Sequence, residues 1–121
     1  METMTDETAV AAFGALAQDT RLAIYRRLVE AGPAGLAAGA IAEAMGVPAP
    51  TLSFHLAQLR GAGLITQRRE SRSLIYAVDI AHMNGLIGFM TERCCGGQPG
   101  LCLPQPKATS DDAPRLRRKA V

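Results

Sequence analysis

Three cysteines stand close together, Cys94, Cys95 and Cys102 in TERCCGGQPGLC, and the rest of the 121-residue chain has none. Two are adjacent, and the stretch between Cys95 and Cys102 holds three glycines and Pro99, so it can fold back and bring a third sulfur to the first two. Thiolates are soft donors that select soft ions. A structural zinc site prefers four ligands, usually with C-x2-4-C spacing, and that spacing is missing. Trivalent arsenic or antimony forms three bonds to sulfur and leaves a lone pair at the apex, a need that three cysteines meet. Two readings stay open beside this one. Buried free cysteines act as small apolar side chains, and a cysteine pair in a loop is also suited to a thiol redox switch.

The other metal-ligating residues are sparse. His82 with Asp79 makes half of a metal site, but helix-borne sites usually pair two histidines one turn apart, and His82 has no such partner. A capping role suits the pair better. A thiol enzyme of the phosphatase-like kind needs C-x5-R, and the residues six beyond each cysteine are Gly100, Leu101 and Ala108. No enzyme is expected.

The stretch from Gly35 to Leu64 is where a second chemistry lies. Leu36, Ile41 and Met45 sit at near-helical spacing and predict a first short helix. Gly46 follows, where a helix end often turns left-handed. Pro50 falls in the first turn of a second helix, where its missing N–H costs nothing. Leu52, Leu56 and Leu59 form that helix's buried seam, and Thr51, Ser53, Phe54 and Gln58 are its groove-facing candidates. A helix, a glycine turn and a helix with a small, polar free face is the helix-turn-helix pattern, whose second helix enters the DNA major groove. Phe54 suits a thymine methyl and Gln58 an adenine edge. His55, on the same helix, is expected to be half-buried or near a phosphate.

Residues 64–78 then read as two strands around a polar turn, a β-wing with arginines near its tip. Residues 1–106 carry eight basic and nine acidic side chains, so the body is close to neutral. Within it Arg60, Arg68, Arg69 and Arg72 gather against the single acid Glu70, a local basic patch suited to DNA phosphates.

The flanking elements follow from periodicity. Thr5 or Thr8 caps a first helix carrying Val10, Phe13, Leu16 and Ala17. Asp19 or Thr20 opens a second with Leu22, Tyr25, Leu28 and Val29 as its buried face. Asp79 opens a last helix, Ile80 to about Cys95, with the stripe Ile80, Met83, Ile87 and Met90 broadened by Leu86 and Phe89. Extending that stripe by four reaches Cys94. Such an apolar helix has more surface than a small domain covers, which predicts a homodimer through the first and last helices. The two recognition helices would then lie about 34 Å apart on double-stranded operator DNA.

The fold expected is mainly α with a small β-wing, a winged helix-turn-helix over residues 1–95. Residues 96–121 are expected to be an inducer-binding loop as far as Cys102 and then a disordered tail rich in Pro, Ser, Asp and Arg. No stretch approaches the roughly 20 apolar residues of a membrane span. The acidic N-terminus lacks a signal-peptide pattern, so no membrane partner and a cytoplasmic location are expected.

LAQDTRLAIYRRL (16–28), TLSFHL (51–56) and LRGAGLI (59–65) resemble the ArsR/SmtB family of metal-sensing repressors, and the resemblance covers about residues 8–95. It implies a homodimeric winged helix that represses in the apo state and leaves its operator when an inducer binds. The C-V-C arsenic motif common in that family is absent, for its place reads Leu36-Ala37-Ala38-Gly39-Ala40. The Asp/His zinc site of other members is incomplete. The Cys-Cys-x6-Cys instead resembles an alternative arsenic-responsive branch, which implies As(III) ligation by Cys94, Cys95 and Cys102 within one subunit. Arsenite is the expected inducer, with antimonite or methylarsenite as further candidates and no constitutive cofactor.

Overall fold

The computed structural model describes residues 4–97. Cys102 and the tail lie outside the described residues. The chain divides after Phe89, inside its last long helix, and the segment from Met90 onward is described by itself.

Helix α1 (Asp6–Leu16) starts at Thr5, whose hydroxyl accepts the Thr8 N–H at 3.1 Å. Helix α2 (Asp19–Ala31) starts at Asp19 as expected, and the residue before it is the cap: the Gln18 amide oxygen accepts the Arg21 N–H at 2.8 Å. Gly32–Ala34 makes one 3-10 turn. Strand β1 (Leu36–Ala37) leads directly into α3 (Ala38–Met45). Gly46 is left-handed there (φ 67°, ψ 31°) and ends α3 by returning its N–H to the Ala42 carbonyl. Helix α4 (Ala49–Gly61) takes Pro50 into its first turn. Strands β2 (Ile65–Glu70) and β3 (Ser73–Val78) form the wing, and α5 (Ile80–Thr91) follows.

The expected two-stranded wing is a three-stranded antiparallel sheet in the order β1-β3-β2. Leu36 and Ala37, read from the sequence as the start of a helix, pair instead with Tyr76 and Ile75. This third strand fastens the wing's root to the front of the helix-turn-helix.

Ile24, Leu28, Ile41, Leu59 and Leu64 are fully buried and bring α2, α3 and α4 onto one core. Burial of one such side chain contributes about 1.5–3 kcal/mol. Two helices are turned from their expected faces. In α2 the buried set is Ile24, Tyr25 and Leu28, while Leu22 and Val29 are exposed. In α1 the close-packed stripe is Ala9, Ala12 and Ala15, whose small side chains let α1 lie near its neighbours and leave Val10 and Phe13 outside.

Helix α5 has two apolar faces. Leu86 is buried in its own domain, with Met83 and Phe89 packed beside it, so these three serve the core and not the outer stripe. Ile80 and Ile87 remain exposed. The helix stops at Thr91, short of the expected Cys95.

Candidate nucleic-acid interface and thiol segment

On α4 the core takes Leu52, His55, Leu56 and Leu59, and the opposite face carries Thr51, Ser53, Phe54, Gln58 and Arg60, all exposed. The Phe54 ring is left 57% exposed amid polar neighbours. Such a surface meets a base edge and a methyl group better than it meets water.

His55 does not share that face. It is only 9% exposed and lies on the core side. Arg21 of α2 donates from Nη1 to His55 Nδ1 at 3.2 Å and from Nε to the Ala15 carbonyl at 2.7 Å. The arginine has no acceptor, so Nδ1 accepts and the ring proton sits on Nε2. Burial, then the Arg21 charge, lowers the His55 pKa below its usual value and keeps the ring neutral at pH 7. The Phe54 ring meets the imidazole edge-on, with centroids 5.7 Å apart.

The wing separates its arginines into two roles. Arg68 donates from Nε to Glu70 Oε2 at 2.7 Å and from Nη2 to the Ala34 carbonyl at 2.9 Å, with a longer Nη1 contact to Pro33. The side chain expected to neutralise phosphate is therefore engaged in holding the wing against the turn before β1. Arg69 and Arg72 are exposed, and Arg72 follows Ser71, whose φ of 56° turns the hairpin. Among the described residues neither has an ion-pair partner. Behind them Gln67 donates to the Tyr76 hydroxyl at 2.7 Å, which stiffens the sheet from within.

Asp79 and His82 act as the capping reading expected. The Asp79 carboxylate accepts the His82 N–H at 3.0 Å and starts α5. The His82 ring lies over Gly63, and its Nε2 is buried with no hydrogen-bond partner among the described residues.

Beyond Thr91 the backbone leaves the helix. Arg93, Cys95, Gly96 and Gly97 all have positive φ, between 53° and 93°. The four-residue spacing from Met90 to Cys94 is thus not a helical turn. Cys94 is half-buried, and Cys95 is a free, exposed thiol. Among the described residues no three Cys, His, Asp or Glu side chains gather to hold a metal ion.

Comparison with known proteins bears on the helical part. A helix-turn-helix domain family matches residues 16–68. The regulator KmtR of Mycobacterium tuberculosis is 33% identical over 78 residues, 64% of this chain, and the match spans 58% of that relative's length. The homodimeric winged helix-turn-helix DNA-binding domain Mb0332 of Mycobacterium bovis, a possible ArsR-family regulator, superposes with a TM-score of 0.57. It is 27% identical and covers 77% of this chain and 92% of its own. The HTH-type transcriptional regulator YgaV of Escherichia coli is 30% identical over 89 residues, 74% of this chain and 88% of YgaV. The chain is a helix-turn-helix transcriptional regulator of the ArsR family.

These relatives are transcriptional regulators and not enzymes. No helix of this regulator, among the described residues, is long and apolar enough to cross a membrane. Sequence reasoning missed Arg21 as a partner of α4. It also missed Arg68 as a tether and β1 as a strand. One signal for His55 was present: it lies three residues after Leu52 and four before Leu59, on the seam itself.

Proposed function

We propose that this regulator is an arsenic-responsive repressor, bound to operator DNA as an apo homodimer and released when trivalent arsenic binds Cys94, Cys95 and Cys102. The observation that carries the reading is that all three cysteines of the chain stand in one short stretch, with Cys95 exposed and free just past the end of α5. Antimonite and methylarsenite offer the same thiophilic centre. Thr51, Ser53, Phe54, Gln58 and Arg60 read the groove, and Arg69 and Arg72 neutralise phosphate. Exposed Val10, Phe13, Ile80 and Ile87 supply an apolar face for a second copy, as the homodimeric state of the M. bovis neighbour supports.

Linkage sets the energetics: an inducer that weakens operator binding by some factor binds the DNA-free form more tightly by the same factor. The test is fluorescence anisotropy of a labelled upstream operator fragment with reduced protein, titrated in parallel with arsenite, zinc and peroxide. Release by arsenite alone, lost in Cys95→Ser and Cys102→Ser proteins that still bind DNA, is the expected result. The exposed Cys95 thiol favours one second reading, a thiol redox repressor, and release by peroxide reversed by dithiothreitol would replace the arsenic reading with it.

A further inference from the structure

We infer that Arg21 and His55 are the positioning pair of the recognition helix, holding its groove-facing Phe54 in register with the end of α1, and that protonation of His55 releases this hold and weakens operator binding. The inference rests on the DNA-binding reading of α4. The chain of contacts is continuous. The Ala15 carbonyl, near the end of α1, accepts from Arg21 Nε at 2.7 Å, and the same guanidinium donates to His55 Nδ1 at 3.2 Å. The same imidazole meets the Phe54 ring edge-on. One buried side chain therefore touches a charge from α2 and an exposed ring on the DNA face. Arg21 itself is oriented by its own helix start, since the Gln18 side chain caps its N–H.

Protonation turns the Arg21–His55 contact from attraction to repulsion. Neutral His55 accepts from Arg21; an imidazolium has no acceptor and sets a second positive charge against the guanidinium. Among the described residues the charge reaching the ring is that of Arg21 on α2. Helix α1 presents the Ala15 carbonyl, which Arg21 occupies, and α4 itself presents Phe54. Among the described residues no carboxylate acts on the ring to compensate the added proton. Relaxation moves Arg21 or His55 outward, and either motion turns the helix face that carries Thr51, Ser53 and Phe54.

The experiment is a pH series of operator affinity, pH 8 to 5, by anisotropy at constant ionic strength on the full chain. Far-UV circular dichroism at each pH establishes that the protein is folded. His55→Asn supplies an acceptor near the Nδ1 position and cannot be protonated. Arg21→Lys keeps the charge but cannot reach both acceptors. Wild type is expected to lose affinity relative to His55→Asn below the His55 pKa, by about tenfold per pH unit where only the neutral form binds. Arg21→Lys weakens binding at pH 8 as well and has a shallower profile. A wild-type profile that parallels His55→Asn in folded protein overturns the pair's role and leaves the DNA reading intact. Absence of operator binding by any of the proteins at any pH overturns both. If His55→Asn does not fold, an Arg21→Lys protein with wild-type affinity and wild-type profile overturns the inference equally.

Discussion

Gly35→Ala is expected to cost this domain a large part of its stability, through the strand that sequence reading did not see. Gly35 has φ 71° and ψ −171°, a region that glycine alone occupies without strain. A Cβ built there falls on the Tyr76 carbonyl oxygen, well inside contact distance, and 3.0 Å from Ile75 Cγ2. The obstacle is backbone of the central strand, so no rotamer change relieves it. Backbone strain alone costs about 1–3 kcal/mol. Relief requires β1 to leave β3, which gives up the pairs Leu36–Tyr76 and Ala37–Ile75. A total of about 3–4 kcal/mol follows, or a fall of about 12–30 °C in melting temperature for a domain of this size. Gly39→Ala is the control. It lies in α3 with nothing within 4 Å of an added Cβ, so there alanine gains about 0.5–1 kcal/mol by helix propensity. Thermal denaturation followed by circular dichroism reads both. A Gly35→Ala protein melting within 3 °C or so of wild type would refute the reasoning, since no smaller shift fits the backbone strain.

Four further outcomes are open to measurement. Arg69→Ala and Arg72→Ala are each expected to lower the slope of log affinity against log salt by about one and to leave melting unchanged. Arg68→Ala is expected to lower the melting temperature by a few degrees, about 1 kcal/mol for a half-exposed tether, while its salt slope moves less than theirs. Phe13→Glu or Ile87→Glu places a charge on the exposed apolar face, and sedimentation is expected to show monomer where wild type gives dimer; an unchanged dimer would remove that face from the interface. Melting temperature is expected to be flat above about pH 6.5, to fall as pH drops from there toward the lowered His55 pKa because the unfolded chain takes up the proton first, and to lose no more on this account below it; His55→Asn removes that part of the fall.

What the sequence revealed was local. Gly46, Pro50 and the seam of Leu52, Leu56 and Leu59 announce the helix-turn-helix because each acts on its own turn or helix face. The hairpin from Ile65 to Val78 was legible for the same reason. Strand β1 was not, because two residues carry no period and Leu36 finds its partner, Tyr76, beyond the whole helix-turn-helix. The face of α2 was ambiguous: Leu22, Tyr25, Val29 and Ile24, Tyr25, Leu28 are both helical stripes, and only packing against α4 and β3 chooses between them. Arg68 looked free because Glu70 is its neighbour in sequence, whereas the Ala34 carbonyl that anchors it is distant. At the cysteines, helical period carries the last helix to about Cys95, whereas α5 ends at Thr91 and Arg93 (φ 55°) and Cys95 (φ 53°) take left-handed backbone that spacing does not announce.

On the proposed inducer-release reading, the absence of C-V-C from the start of α3 removes the shortest route to the recognition helix, and the contacts between the end of α4 and the start of α5 offer another. Helix α4 ends at Gly61, and Gly63 (φ 81°) brings its Cα beneath the His82 ring, where a Cβ would approach within 3.0 Å. The next carbonyl, that of Leu64, accepts the Asp79 N–H at 3.0 Å, and the Asp79 carboxylate and carbonyl in turn start α5 by accepting from His82 and Met83. The segment just past α4 and the start of α5 thus share one peptide hydrogen bond and one ring contact. Leu86 holds α5 to the core one turn further on. Asp79, which starts α5, is bonded to Leu64, and the Leu64 N–H in turn bonds the Leu59 carbonyl near the end of α4. On the proposed inducer-release reading, a repacking of α5 would reach the recognition helix through this joint, and β2, which begins at the residue after Leu64, would follow.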